Sequence, residues 1–89
     1  MNALIVEDCD NVVVAIAPIS QGEAVEYTRH DGQVVSFPAA SDIPVYHKIA
    51  ASDITKGAPV IKYGETICTA AENIARGSHV HVHNIADLS

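Results

Sequence analysis

Four of the five histidines in this chain fall in two short polar islands. The first, His79-Val80-His81-Val82-His83-Asn84, alternates imidazole with valine. In an extended strand, alternate side chains share a face. The spacing therefore sends Val80 and Val82 into a core and sets His79, His81 and His83 on the opposite face, neighbours about 6.5–7 Å apart. Imidazoles so placed can converge on one metal ion, relay protons near neutral pH, or simply form the solvated face of an edge strand. The second island is His47-Lys48. Lys48 offers a point charge for a substrate carboxylate, and His47 an acid, a base or a third metal ligand. The plainer alternative is a surface pair at a strand start. Tyr63, in Lys62-Tyr63-Gly64-Glu65, carries a phenol that can donate to a ligand or stand as a half-buried aromatic with a wet tip. Cys9 and Cys68 read as small buried hydrophobes. The chain has no GxSxG, Walker loop, GxGxxG or usefully spaced carboxylate pair, so it does not assemble a complete catalytic machine by itself.

The elements that must hold these residues are strands. Runs rich in β-branched residues occur at Ala3 to Val6, Val12 to Ala17, Ala24 to Thr28, Gln33 to Phe37, Tyr46 to Ala50, Pro59 to Tyr63 and His79 to His83. Asp31-Gly32 between two of them predicts a hairpin with a tight primed turn. Asp8 and Asp10 read as turn residues. The one helix candidate is Glu65 to Ala75, where Ile67, Ala70, Ala71 and Ile74 recur at helical spacing between Gly64 and Gly77. Its Thr66, Ile67, Cys68 and Thr69 favour strand, so the segment is a short helix or a strand followed by a turn.

A short pattern recurs along the chain: Ile19/Gly22/Val25, Ile54/Gly57/Val60, Ile74/Gly77/Val80, and a degenerate Ile43/Tyr46/Ile49. The Ile buries beneath a corner, the Gly supplies a torsion that other residues adopt only at a cost, and a strand begins two residues later. Several such corners make a compact, barrel-like fold of short bent strands, mostly β with at most one short helix. The pattern describes folding rather than activity.

Composition narrows the function classes. At 89 residues, 48% of them hydrophobic, the chain makes one small ordered domain over residues 1–89. With one Phe, three Tyr and no Trp, its core must come from Val, Ile and Ala. Eleven acidic against five basic residues disfavour nucleic-acid binding, which needs a basic face. No apolar run approaches the roughly 20 residues of a membrane span, and Glu7 and Asp8 interrupt the N-terminus too early for a signal peptide. Two distant cysteines suit a reducing cytoplasm. So small a core leaves room for a homo-oligomer that association would stabilise.

His47-Lys48-Ile49-Ala50, Asp53-Ile54, Lys56-Gly57, Val60 to Glu65 with Ile67, Ile74 with Arg76-Gly77, and Val80-His81-Val82-His83-Asn84, in that order, resemble the N-terminal domain of the altronate dehydratase family. Asp10-Asn11-Val12-Val13-Val14-Ala15 resembles its start, so the resemblance covers nearly the whole chain. It implies a SAF-type domain with a β-clip fold, and a lyase that removes water, or sulfite, next to the carboxylate of a sugar acid or hydroxy-acid. It also implies a divalent ion, Fe(II) or similar, and a larger catalytic chain, with this chain laid out like a separate small subunit. On that reading His81 and His83 bind or face the metal. His47 and Lys48 are the catalytic pair, and Lys48, Tyr63 and Asn84 meet the substrate, Asn84 orienting His83 or a ligand oxygen. SAF-type domains also serve as non-catalytic carbohydrate- or protein-binding modules, which is the alternative. Two positions depart from the family, Tyr46 and Cys68, where it has Gly. A Tyr with positive φ would be strained, so either the turn differs or the pocket beside His47 is reshaped.

Overall fold

The computed structural model describes residues 1–86. The described residues form nine short strands and no helix: β1 (Ala3–Leu4), β2 (Val12–Ala15), β3 (Ala24–Thr28), β4 (Val34–Pro38), β5 (Lys48–Ala50), β6 (Pro59–Lys62), β7 (Glu65–Ala70), β8 (His79–Val80) and β9 (Ile85–Ala86). They make three antiparallel sheets, ordered β1-β2-β5-β8, β3-β4 and β6-β7-β9. The mostly-β expectation stands.

The recurrent corners are the framework. Each closes a four-residue turn by an i to i+3 backbone hydrogen bond: Glu23 to Ser20, His47 to Pro44, Ala58 to Thr55 and Ser78 to Ala75. The third residue of each turn has positive φ: Gly22 at +86°, Tyr46 at +68°, Gly57 at +85° and Gly77 at +90°. That torsion is the signature of a type II turn, where Gly is the usual occupant. Strands β3, β5, β6 and β8 start two residues after these positions.

Corners work in reciprocal pairs. The amides and carbonyls of Ile19 and Ile43 bond each other in both directions, and Ile54 and Ile74 do the same. Four residues before each Ile stands a buried Ala: Ala15, Ala39, Ala50 or Ala70. Each Ala carbonyl accepts the amide of the partner corner's positive-φ residue: Tyr46 to Ala15, Gly22 to Ala39, Gly77 to Ala50, and Gly57 to Ala70. Side chains cross as well. Gln21 N–H donates to Asp42, Lys56 N–H to Asn73 and Arg76 N–H to Asp53. The residue before Ile43, Ile54 and Ile74 thus reaches over to the partner corner. Only Pro18 has no acceptor to offer. The apolar residue six places after each Ile, namely Val25, Ile49, Val60 or Val80, is fully buried.

Two cores result, one under each pair. Ala3, Ile5, Val13, Ala15, Ile19, Val25, Tyr27, Phe37, Ala39, Ile43 and Ile49 form the first. Val12, Ala50, Ile54, Val60, Cys68, Ala70, Ile74 and Val80 form the second. Because side chains alternate along a strand, Val12 and Val13 face different cores, as do Ile49 and Ala50. β2 and β5 thus run between the two.

Several expectations need correction. The Glu65 to Ala75 segment takes its second alternative, strand then turn. Lys62 pairs with Glu65 across Tyr63 and Gly64, which have φ of +57° and +74°. Two consecutive positive φ values make the primed hairpin turn here, not at Asp31-Gly32. There Gly32 alone is left-handed, in a loop closed by Arg29 N–H to Gln33 O. Ile67 misses the core because Ile61 pairs with Thr66 and Val60 with Cys68, which leaves it in a bulge. Asp10 is buried and accepts the amides of Glu7, Tyr63 and Gly64, which anchors that hairpin. Cys68 is buried as expected, but Cys9 is exposed. The strand expected over His79 to His83 ends at Val80, so Val82 points to solvent, 75% exposed.

Candidate metal and substrate site

β5 and β8 are antiparallel neighbours, with Lys48 opposite Val80 and Ile49 opposite His79. The two polar islands therefore meet, although they lie some thirty residues apart in sequence. His47 follows the left-handed Tyr46 at the head of β5, and His79 opens β8 just after the Gly77 corner. His81 lies in the tight turn that replaces the expected strand continuation.

The rings of His47 and His79 stack at 5.0 Å between centroids, those of His47 and His81 at 4.5 Å, and those of His79 and His81 at 5.4 Å. His47 Nδ1 and His79 Nε2 share a hydrogen bond of 2.8 Å. One nitrogen must donate and the other accept, so the two rings cannot both be cations in this arrangement. One ligand atom from each of His47, His79 and His81 lies within 4.8 Å of the others, and all three residues are partly buried. Sequence reasoning put the metal on His81 and His83. The geometry gathers His81 with His79 and His47, while the exposed His83 ring lies 5.4 Å from His79 and outside the triple.

Burial, first of all, pushes His79 below the ordinary histidine pKa, and the charges of His47, His83, His81 and Lys48 act in the same direction. His81 is lowered too, again first by loss of water and then by His47, Lys48 and His83. Depressed basicity keeps both rings neutral near pH 7, with lone pairs available to a ligand. Every group acting on these two rings is a base or a cation. In a chain of net charge −6, the formal cation among the groups acting on these rings is Lys48.

The Asn84 side chain bonds the backbone on both sides of Val80. It is 4% exposed, its Nδ2 donates to the His79 carbonyl at 2.8 Å, and its Oδ1 accepts the His81 amide at 3.0 Å. Two other asparagines bind their strands in the same way. Asn2 takes Ala24 O and Glu26 N–H, and Asn11 takes Pro59 O and Ile61 N–H. In each case the clamped residues stand two and four places after a corner glycine. Asn84 is the third such bracket, and it fixes the backbone that carries His79 and His81. Tyr63 lies in the β6–β7 turn beside Asp10, with the Lys62 ammonium 4.6 Å from its ring centroid.

Sequence reasoning missed two features of this site. His79 was set on the shared face but not grouped with His47 and His81. The register of the corners marks it, because Gly77 starts β8 at His79 just as Tyr46 starts β5 at Lys48. The brackets left a fainter trace, since each Asn lies at a different distance from the corner it serves.

Residues 1–88 match the family model of the altronate/galactarate dehydratase SAF domain. The chain belongs to that family. It is 47% identical to an altronate dehydratase of Escherichia coli over 75 residues, which cover 84% of this chain and 14% of that protein. Over the same length it is 39% identical to an altronate dehydratase of Bacillus subtilis. It is 31% identical over 84 residues to the (2R)-sulfolactate sulfo-lyase subunit alpha of Chromohalobacter salexigens, covering 91% of this chain and 89% of that one. The SAF chain thus spans about a seventh of the dehydratases and nearly all of the sulfo-lyase subunit. No helix among the described residues is long and apolar enough to cross a membrane.

Proposed function

We propose that this SAF chain is the small component of a lyase acting on a sugar acid or related hydroxy-acid, and that it contributes metal and carboxylate contacts to a site completed by a larger catalytic chain. The observation that carries the reading is the triple of imidazoles from two chain segments, with Lys48 beside it. Imidazole nitrogens suit Fe(II), Zn(II), Co(II) or Ni(II), so the donor set fits a divalent ion such as iron. Held there, the ion would supply Lewis acidity to an oxygen of the substrate. His47, His79 and His81 would hold it, and the lowered basicity of His79 and His81 favours those two as ligands.

Lys48 sharpens the substrate class. An ammonium so close to a cation-binding set opposes the cation unless an anion accompanies it. A carboxylate meets that need, and Lys48 binds it as a point charge. The base that removes the proton α to the carboxylate comes from the larger chain, since among the described residues no carboxylate joins the cluster of His47, His79 and His81. Asn84 serves by holding His79 and His81 in place.

The test uses this chain co-expressed with the larger lyase chain. Co-elution on gel filtration is expected, with turnover of altronate or sulfolactate. Co(II) alone serves as the metal probe. His47→Ala, His79→Ala and His81→Ala should each weaken Co(II) binding 10–100-fold or more, and His83→Ala should leave it nearly intact. Affinity that survives loss of His79 and His81 together would make the chain a non-catalytic binding module instead.

A further inference from the structure

β8 is the last strand of its sheet, so one side of it has no strand to pair with. The carbonyl of Ser78 accepts the Ala50 N–H of β5. In a trans peptide the N–H points opposite to the carbonyl, so the His79 N–H turns away from β5 towards the open edge. A backbone donor left without a partner is costly in a half-buried segment. Here a side chain meets it: Ser41 Oγ accepts the His79 N–H at 3.2 Å. The carbonyl of the same residue accepts Asn84 Nδ2 at 2.8 Å. Side chains from two separate segments thus hold both backbone polar groups of His79, where an inner strand would be held by its neighbours.

Ser41 is delivered from the pair of corners that Ile19 and Ile43 form. It stands between β4 and the Ile43 corner, in a loop that lies against the start of β8. Ala40 N–H donates to Gly77 O at 2.9 Å, and a Cβ on Gly77 would come within 2.5 Å of Pro38 O. Those contacts are made by backbone atoms. The contact to His79 depends on one hydroxyl. We propose that Ser41 is a positioning residue of the imidazole triple. It fixes the His79 backbone, and through it the ring that shares a hydrogen bond with His47 and stacks on His47 and His81. The backbone sets the direction of the Cα–Cβ bond from which the ring hangs, so a His79 amide released from Ser41 lets the ring drift from the other two. A ligand set tolerates little drift, and the residues behind the ligands govern its affinity. The consequence for metal binding rests on the lyase reading above; the placement of the ring does not.

The test compares the full chain as wild type, Ser41→Ala and Ser41→Thr, with Asp42→Ala as a control. Asp42 belongs to the same loop, but its carboxylate accepts the Gln21 N–H, so its loss loosens the loop without removing the bond to His79. With no metal added, NMR should show the His47 and His79 ring signals displaced in Ser41→Ala, and the His79 amide exchanging about tenfold faster. Ser41→Thr keeps the hydroxyl and should restore both. Titrated with Co(II) alone, Ser41→Ala should bind about 3–10-fold more weakly, as the loss of one neutral hydrogen bond implies, and Ser41→Thr within about twofold of wild type. Asp42→Ala should melt lower yet leave ring signals and Co(II) affinity unchanged. Ring signals that stay in place in Ser41→Ala would overturn the proposal. So would an equal displacement in Asp42→Ala, which would make the loop a general support of the fold. A wild-type chain that binds no Co(II) removes the metal reading, while the ring signals still decide the part played by Ser41.

Discussion

At the scale of residues, the site depends on imidazoles that resist protonation. Unfolded, His79 and His81 titrate near the ordinary value of 6.5; folded, both lie lower. As pH falls through 6.5 the unfolded chain takes up protons that the folded chain refuses. Stability is therefore fully present above that value and is lost as pH drops toward the folded pKa values. Urea unfolding of the chain between pH 5 and 8 should show this slope, and His79→Gln/His81→Gln should flatten it. NMR titration should place both midpoints below those of a free histidine. The sequence made the imidazoles conspicuous, and alternation put them on one face. It did not reveal which three converge, because that depends on where β8 stops. Val82 looks like a core residue by parity, yet the Asn84 bracket turns the chain at His81 and leaves Val82 in water.

At the scale of elements, the corners were legible and their pairing was not. Ile, Gly and Val at fixed spacing announced three turns and strand starts, the degenerate Ile43/Tyr46/Ile49 a fourth, and all four occur. Tyr46 kept the torsion although it lacks the residue type, so the tertiary framework overrode local preference there. Partners come from distant segments, which a one-dimensional pattern does not join. The helical spacing of Ile67, Ala70, Ala71 and Ile74 was coincidence, since a bulge and a primed turn at Tyr63-Gly64 settle that segment as a strand. The Asn84 bracket makes a prediction of its own. Asn84→Ala breaks two hydrogen bonds within a buried turn, at a cost of about 2 kcal/mol. It should weaken Co(II) binding although Asn84 offers the metal no ligand. Asn84→Asp should be worse, because an acceptor would then face the His79 carbonyl. Thermal melts and cobalt titrations of the two variants would check both.

At the scale of the whole molecule, the two corner pairs meet at Gly77. A Cβ there would stand 2.5 Å from the Pro38 carbonyl oxygen and 3.2 Å from the Ala40 nitrogen, both in the first pair, and the φ of +90° is itself hostile to side chains. Gly77→Ala should destabilise the chain by about 3 kcal/mol, through backbone strain and overpacking together. Gly57→Ala meets no neighbouring atom within 4 Å and should cost less, so the difference between their melting temperatures isolates the contact.

That meeting place gives the histidine triple a mechanical meaning. His47 stands on a corner of the first pair, and His79 follows a corner of the second. An ion gripping both would act as a staple across the seam, fastening two halves that otherwise adhere through a few strands and one close glycine. Melting temperature should then climb with the concentration of free ion, by the equivalent of about 2.7 kcal/mol at a hundredfold excess over Kd. Chelation would loosen the seam without breaking a covalent bond.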